Sequence, residues 1–152
     1  MKRLEAVKRN KCFDAYDLDS RPIAKQKEVL FDINSTTCRY VVAANQTGKT
    51  QMGAREASWI FSGTHPFFDA KAEWGDRPLT MLIVGRTIRI LQNEIWERKI
   101  QPFLEPNSYK TTTIGSSLQS VVHKKTKNQI IFISHNNVNE ARKNTQGYVA
   151  QW

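Results

Sequence analysis

An apolar run, a polar glycine-bearing loop and a helical pattern follow one another without a break, and this junction constrains the fold more than any other feature. Cys38 to Ala44 (CRYVVAA) reads as a short buried strand and Asn45 to Gly48 as a loop. Lys49 to Phe61 reads as a helix closed by Ser62-Gly63. Across the junction stands Ala43-Ala44-Asn45-Gln46-Thr47-Gly48-Lys49-Thr50, which fits GxxxxGK[ST] except that Ala43 replaces the first glycine. A GK[ST] triplet arises by chance in roughly one chain in ten of this length, so the weight rests on the strand before it and the helix after it. Such a loop turns backbone N–H groups toward a bound phosphate. Lys49 is spaced to reach the β- and γ-phosphates, and the Thr50 hydroxyl to ligate Mg²⁺. Gly48 lets the backbone approach closely. The expected ligand is ATP with Mg²⁺.

The rest of the chain supplies alternating elements. Ser20-Arg21-Pro22 looks like a helix start, and the helix is expected to run to about Ile33. Gln26 lies on it, 23 residues before Lys49. A glutamine amide both donates to and accepts from an adenine edge, and it is equally at home on an exposed helix face. Thr64 to Pro78 is punctuated by Gly and Pro and reads as a surface loop. Leu79 to Val84 reads as a second buried strand. Thr87 is a candidate cap for an amphipathic helix from Ile88 to about Gln101, with Ile88, Leu91 and Ile95 in one stripe and Pro102 limiting it. Leu118 to Val122 and Gln129 to Ser134 read as a hairpin around the polar turn His123 to Asn128. This order argues for an α/β fold.

Composition excludes several classes. The 152 residues suit one domain, and no apolar run, Met81 to Val84 and Ile130 to Ile133 included, approaches the length of a membrane span. No apolar stretch follows the basic residues of Met1 to Lys11, so no secretory signal is expected. Cys12 and Cys38 do not suggest a disulfide scaffold, and a reducing cytoplasm fits them. The net charge of +9 sits mostly at the ends: five basic residues against one acid in Met1 to Lys11, and the same in Ser120 to Trp152. Basic ends suit either a polyanion partner or solvated segments. The turn His123-Lys124-Lys125-Thr126-Lys127 offers Lys124, Lys125 and Lys127 as contacts to DNA phosphate. His65, His123 and His135 lack metal-ligand spacing, and the tryptophans read as packing rather than base-stacking residues.

With these motifs in order, the chain resembles the ATPase motor of tailed-bacteriophage large terminase subunits, the enzymes that package DNA. The resemblance runs from Pro22 onward. It comprises Lys25-Gln26, the loop AANQTGKT, the turn Gly63-Thr64-His65-Pro66-Phe67-Phe68, the strand and turn Met81 to Thr87, the hairpin, and Gln146-Gly147-Tyr148. It implies a RecA-like phosphate-loop NTPase domain of three α/β/α layers over residues 22–152, after a basic segment over residues 1–21. It implies an adenine contact at Gln26 and an ATPase that moves duplex DNA. It also implies a small terminase subunit and a portal as partners, a homo-oligomer, and the host cytoplasm as location.

Two departures from the family pattern matter. Many members carry an Arg inside the loop, whereas this loop has Asn45 and Gln46. Arg55 is the nearest substitute, and the reading favours a surface charge for it. Phosphate-loop ATPases also need an acidic pair at a strand end to hold Mg²⁺ and polarise water. Met81 to Val84 is followed by Gly85-Arg86 and Ile130 to Ile133 by Ser134-His135. The expectation is therefore an amino-terminal piece of a longer protein, ending before the acidic strand and the nuclease domain, that does not hydrolyse ATP alone. Another phosphate-loop helicase or translocase, or a non-enzymatic nucleotide- or DNA-binding module, are the alternatives.

Overall fold

A computed structural model describes Val41, Val42, residues 48–66, Asp69, Ala72, Glu73 and residues 75–135. Helix α1 spans Lys49–Ser62, within a residue of its expected bounds. It ends on Gly63, whose φ of 69° places it in the left-handed region, with its N–H donating to the Ile60 carbonyl. Strand β1, Thr80–Gly85, follows the exposed loop. Thr87 then caps the second helix, α2 (residues 88–103), its Oγ1 accepting from the Ile90 N–H at 3.2 Å.

The winding of α2 differs from expectation. One α turn, Ile88–Ile90, leads into a π-type stretch, Leu91–Ile100, and a 3-10 turn, Gln101–Phe103. The Gln101 N–H donates to the Trp96 carbonyl, five residues back. A wider turn moves the inward stripe: Leu91, Trp96 and Ile100 are buried, while Ile88 and Ile95 are only half-buried. Pro102 lies inside the closing turn rather than ending the helix before it.

Strands β2 (Tyr109–Ile114), β3 (Ser117–His123) and β4 (Gln129–Ser134) complete a four-stranded sheet in the order β1-β4-β3-β2. β1 pairs parallel with β4, and the other two pairings are antiparallel. The β3–β4 hairpin matches the sequence reading. β2 was not expected, because its Lys-Thr-Thr-Thr run shows no apolar alternation and is exposed on both faces. β4 is central and buried on both faces. Its Ile130 and Phe132 join Val121, Met81, Leu79 and the buried side of α2 in the main core, to which α1 adds Ala54, Ala57, Ile60 and Phe61. Trp96 stands edge-on to Phe132 and Tyr109.

The strand expected over Cys38 to Ala44 is corrected where it is described. Val41 and Val42 lie outside any strand and are 39% and 78% exposed. No described strand pairs with them, so apolar character alone does not give them a ladder. Among the described residues the architecture is thus a mixed α/β fold with two helices and a four-stranded mixed sheet. Among the described residues no helix is long and apolar enough to cross a membrane.

Candidate functional site

The residues expected to hold phosphate meet the structure at the start of α1. Gly48 is the N-cap, with φ 81° and ψ 11°, a left-handed conformation that costs glycine nothing. Its carbonyl accepts from the Met52 N–H at 2.9 Å, the first helical bond. Among the described residues no side chain caps this end. The opening N–H groups of a helix have no intrahelical acceptor, and the helix dipole makes this end attractive to an anion. Lys49 and Thr50 are the first two helical residues, half-buried and exposed respectively. Gln26, Ala43, Ala44, Asn45, Gln46 and Thr47 lie outside the described residues.

The opposite end of α1 is enclosed. From Ala54 to Phe61 every residue is buried, including Arg55 and Glu56. Arg55 is not the expected surface charge. It is 4% exposed, with its guanidinium 4.6 Å from the Trp59 ring and 4.7 Å from the Phe103 ring, so it joins α1 to the end of α2 through stacked cation–π contacts.

The turn between β3 and β4 closes over this end. Lys124, Lys125 and Lys127 are exposed around it, as expected, but the residues between them point inward. Thr126 Oγ1 donates to the Phe61 carbonyl at 2.9 Å. Asn128 is buried; its Nδ2 donates to the Ile60 carbonyl at 2.8 Å and the Phe61 carbonyl at 3.3 Å, and its Oδ1 accepts from the Leu79 N–H at 2.9 Å. Helix C-termini leave carbonyls without intrahelical donors, and these two side chains supply them. Sequence reading took the turn as a polar tip, in contact with DNA phosphate or with solvent, and gave its Thr and Asn no inward role. The missed signal is the Asn placed directly before an apolar strand, where its amide is drawn into the core and must find partners.

His123 sits beneath the turn, edge-on to Phe61 at 5.3 Å. Its Nδ1 meets Thr126 twice, 3.2 Å from the backbone N and 2.9 Å from Oγ1. Burial holds the imidazole below its ordinary value of 6.5; Glu105 opposes that shift and Lys125 adds to it. Among the described residues no group of three or more His, Cys, Asp or Glu side chains is placed to hold a metal ion.

The two candidate regions therefore occupy opposite ends of one helix of 14 residues, about 21 Å apart at the α-helical rise. The structure does not bring Lys124, Lys125 and Lys127 to the Gly48–Thr50 end. The carboxyl ends of the parallel strands β1 and β4 lie side by side, with the His135 N–H donating to the Gly85 carbonyl at 2.9 Å. Arg86 and His135, not carboxylates, follow those strands. Glu94 is engaged by Arg98 at 3.0 Å on the outer side of α2.

A scan against protein-family models found no match, and neither curated proteins nor solved structures gave one.

Proposed function

We propose that residues 43–50 form a phosphate loop for ATP with Mg²⁺, with Gln26 toward adenine, in a RecA-like ATPase of the phage large-terminase type acting on duplex DNA. The observation that carries this reading is the left-handed Gly48 set at a helix start whose first two residues are Lys49 and Thr50. These residues suit the group: the Lys49 ammonium would hold the β- and γ-phosphates, and the Thr50 hydroxyl would serve as a Mg²⁺ ligand. Bound Mg²⁺ supplies charge neutralisation on the phosphates. By the same resemblance the protein works in the host cytoplasm as a homo-oligomer, with a small terminase subunit and a portal. Exposed Lys124, Lys125 and Lys127 are the proposed phosphate-backbone contacts.

A non-enzymatic reading is favoured for this chain acting alone by one observation, the Arg86 and His135 that follow β1 and β4 where a metal-holding acid would stand. Loss of one well-aimed electrostatic partner costs on the order of 10² to 10³ in rate. Titration with a fluorescent ATP analogue and Mg²⁺ is the test. Lys49→Ala is expected to weaken binding at least tenfold, and equal affinity would remove the loop from the site. Phosphate release by the same protein is expected to match its Lys49→Ala variant.

A further inference from the structure

The two ends of the sheet carry different surfaces. At the β3–β4 turn the exposed cations are lysines, and no exposed large aliphatic lies within the turn. The other end is about 20 Å away along β4 at the rise of an extended strand. It is built from the carboxyl ends of β1 and β4, the first turn of α2 and the tip of the β2–β3 hairpin. Ser134 Oγ donates to the Arg86 carbonyl at 2.9 Å and ties the two strand ends together. The first turn of α2 lies against both β3 and β4. The hairpin tip comes to α2 because β3 leaves β4. Those strands pair only over Ser120 to Val122, and the β2–β3 register shifts between Thr112 and Thr113. The start of β3 turns to α2 instead, where Gln92 Oε1 accepts from the Leu118 N–H at 3.2 Å. A two-residue turn, Gly115-Ser116 with Gly115 at φ 60°, then presents Ile114. Of the five large apolar residues exposed among the described ones, this end holds three: Val84 at 56%, Ile90 at 46% and Ile114 at 70%. Arg86 and Arg89 fall between Val84 and Ile90 and are exposed, as is His135 at the end of β4. Neither arginine is paired with an acid among the described residues, and Glu94, the next acid along the chain, is held by Arg98.

Aliphatic side chains gathered in water mark a surface that a partner covers. The cations among them say what kind of partner. Arginine is enriched and lysine depleted where proteins meet, and the guanidinium fork takes a carboxylate through two parallel bonds. A surface for single-stranded nucleic acid would interleave its cations with rings on which bases stack, whereas the residues beside these arginines are aliphatic. A second copy of the chain would bring a net charge of +9 to an already basic surface. We propose that this end of the sheet docks a protein partner through a segment carrying both carboxylate and aliphatic side chains. The carboxylates meet Arg86 and Arg89, the aliphatic groups cover Ile90 and Ile114, and Val84 borders the contact on β1. The surface is formed in advance. The Thr87 cap fixes the first turn of α2, and the Gln92 bond to Leu118 fixes the hairpin, so little ordering is left to oppose binding. The proposal uses neither the phosphate loop nor the lysine turn.

The test is fluorescence anisotropy on the whole chain with three short labelled peptides, alternating Glu with Leu, Glu with Ser, and Lys with Leu, at about 0.15 M salt. The Glu–Leu peptide is expected to bind at least fivefold more tightly than Glu–Ser, and Lys–Leu not to bind. Arg86→Glu together with Arg89→Glu is expected to weaken the Glu–Leu peptide at least tenfold and to admit the Lys–Leu peptide. Ile114→Ser, at the hairpin tip, is expected to weaken the Glu–Leu peptide at least threefold. Replacing Lys124, Lys125 and Lys127 by Ala at the far end, or Lys49 by Ala, is expected to leave it within twofold, which keeps this result separate from the phosphate-loop reading. A Glu–Leu peptide that does not bind, that binds no better than Glu–Ser, or that survives the arginine reversal overturns the proposal. A DNA strand that displaces the peptide and is itself lost with the arginines overturns the assignment to a protein. Self-association of the wild type in sedimentation equilibrium that vanishes with the arginines gives the surface to a second copy and overturns the assignment as well. Should the double reversal not fold, Arg89→Glu and Ile114→Ser, each at an exposed position, decide in its place.

Discussion

At its first turn α1 begins on Gly48 with a half-buried Lys49 and an exposed Thr50. In its last two turns every residue through Phe61 is buried, and two side chains from a distant hairpin bond its final carbonyls. The same helix thus carries its packing at one end and, at the other, the N–H groups that have no intrahelical acceptor. Stability and ligand chemistry draw on different residues, so substitutions should separate them.

The sharpest way to break this comparison is Phe61→Ala. Phe61 is fully buried in the core, and its loss is expected to cost about 3–5 kcal/mol in urea unfolding. Thr50→Val, at the open end, should stay within about 0.5 kcal/mol; equal costs would show that the two ends are not distinct. Next comes Asn128→Leu, which strands the Leu79 N–H and leaves the Ile60 and Phe61 carbonyls with one donor each, the Gly63 N–H and the Thr126 hydroxyl. We expect a loss of about 1–3 kcal/mol, chiefly from the buried N–H, read from the shift in denaturation midpoint.

Gly63→Ala and Gly48→Ala sharpen the comparison, since both positions have positive φ. Each should lose about 1 kcal/mol to backbone strain. Gly63→Ala should lose more, because its new methyl meets Thr126 at 3.0 Å; identical costs would mean that the turn yields freely. A smaller effect is expected from pH. His123 is held below its ordinary 6.5 in the folded protein, so the unfolded chain binds the proton more readily. Stability contributed by neutral His123 is full above 6.5 and declines as pH falls through 6.5. It levels off below the lowered folded value. Thermal melts of wild type and His123→Gln between pH 7.5 and 5 should diverge in that direction, and parallel curves would remove His123 from the account. Smallest of all is Gly53→Ala, at a helical position where an added methyl meets nothing within 4 Å. It should gain about 0.5–1 kcal/mol in helix propensity.

These effects also mark what the sequence made legible. Helix α1, β1, the cap at Thr87 and the β3–β4 hairpin follow from local signals: glycine after a helical run, a hydroxyl before one, and apolar runs around a polar turn. β2 escaped because lysine and threonines on an exposed edge carry no period-two apolar signal. Arg55 was misjudged because charge suggests a surface, whereas two aromatic rings give a guanidinium an interior place. The inward turn of Thr126 and Asn128 escaped for a related reason. Their partners, Ile60 and Phe61, are more than 60 residues away in sequence, beyond any local pattern.

The winding of α2 bears on how the gene can change length. Between Leu91 and Ile100 the inward side chains fall at steps of five and four residues. Loss of the single codon for Asn93 would make both steps four, the spacing of an ordinary α-helix, with the same three side chains facing the core. Gln92, which accepts from the Leu118 N–H, would keep its place, and its present contact to Glu97 would become an i,i+4 pair. A one-residue deletion inside a core helix is normally among the harshest of mutations. Here it should cost less stability than a deletion of two residues, which would turn buried side chains out of the core.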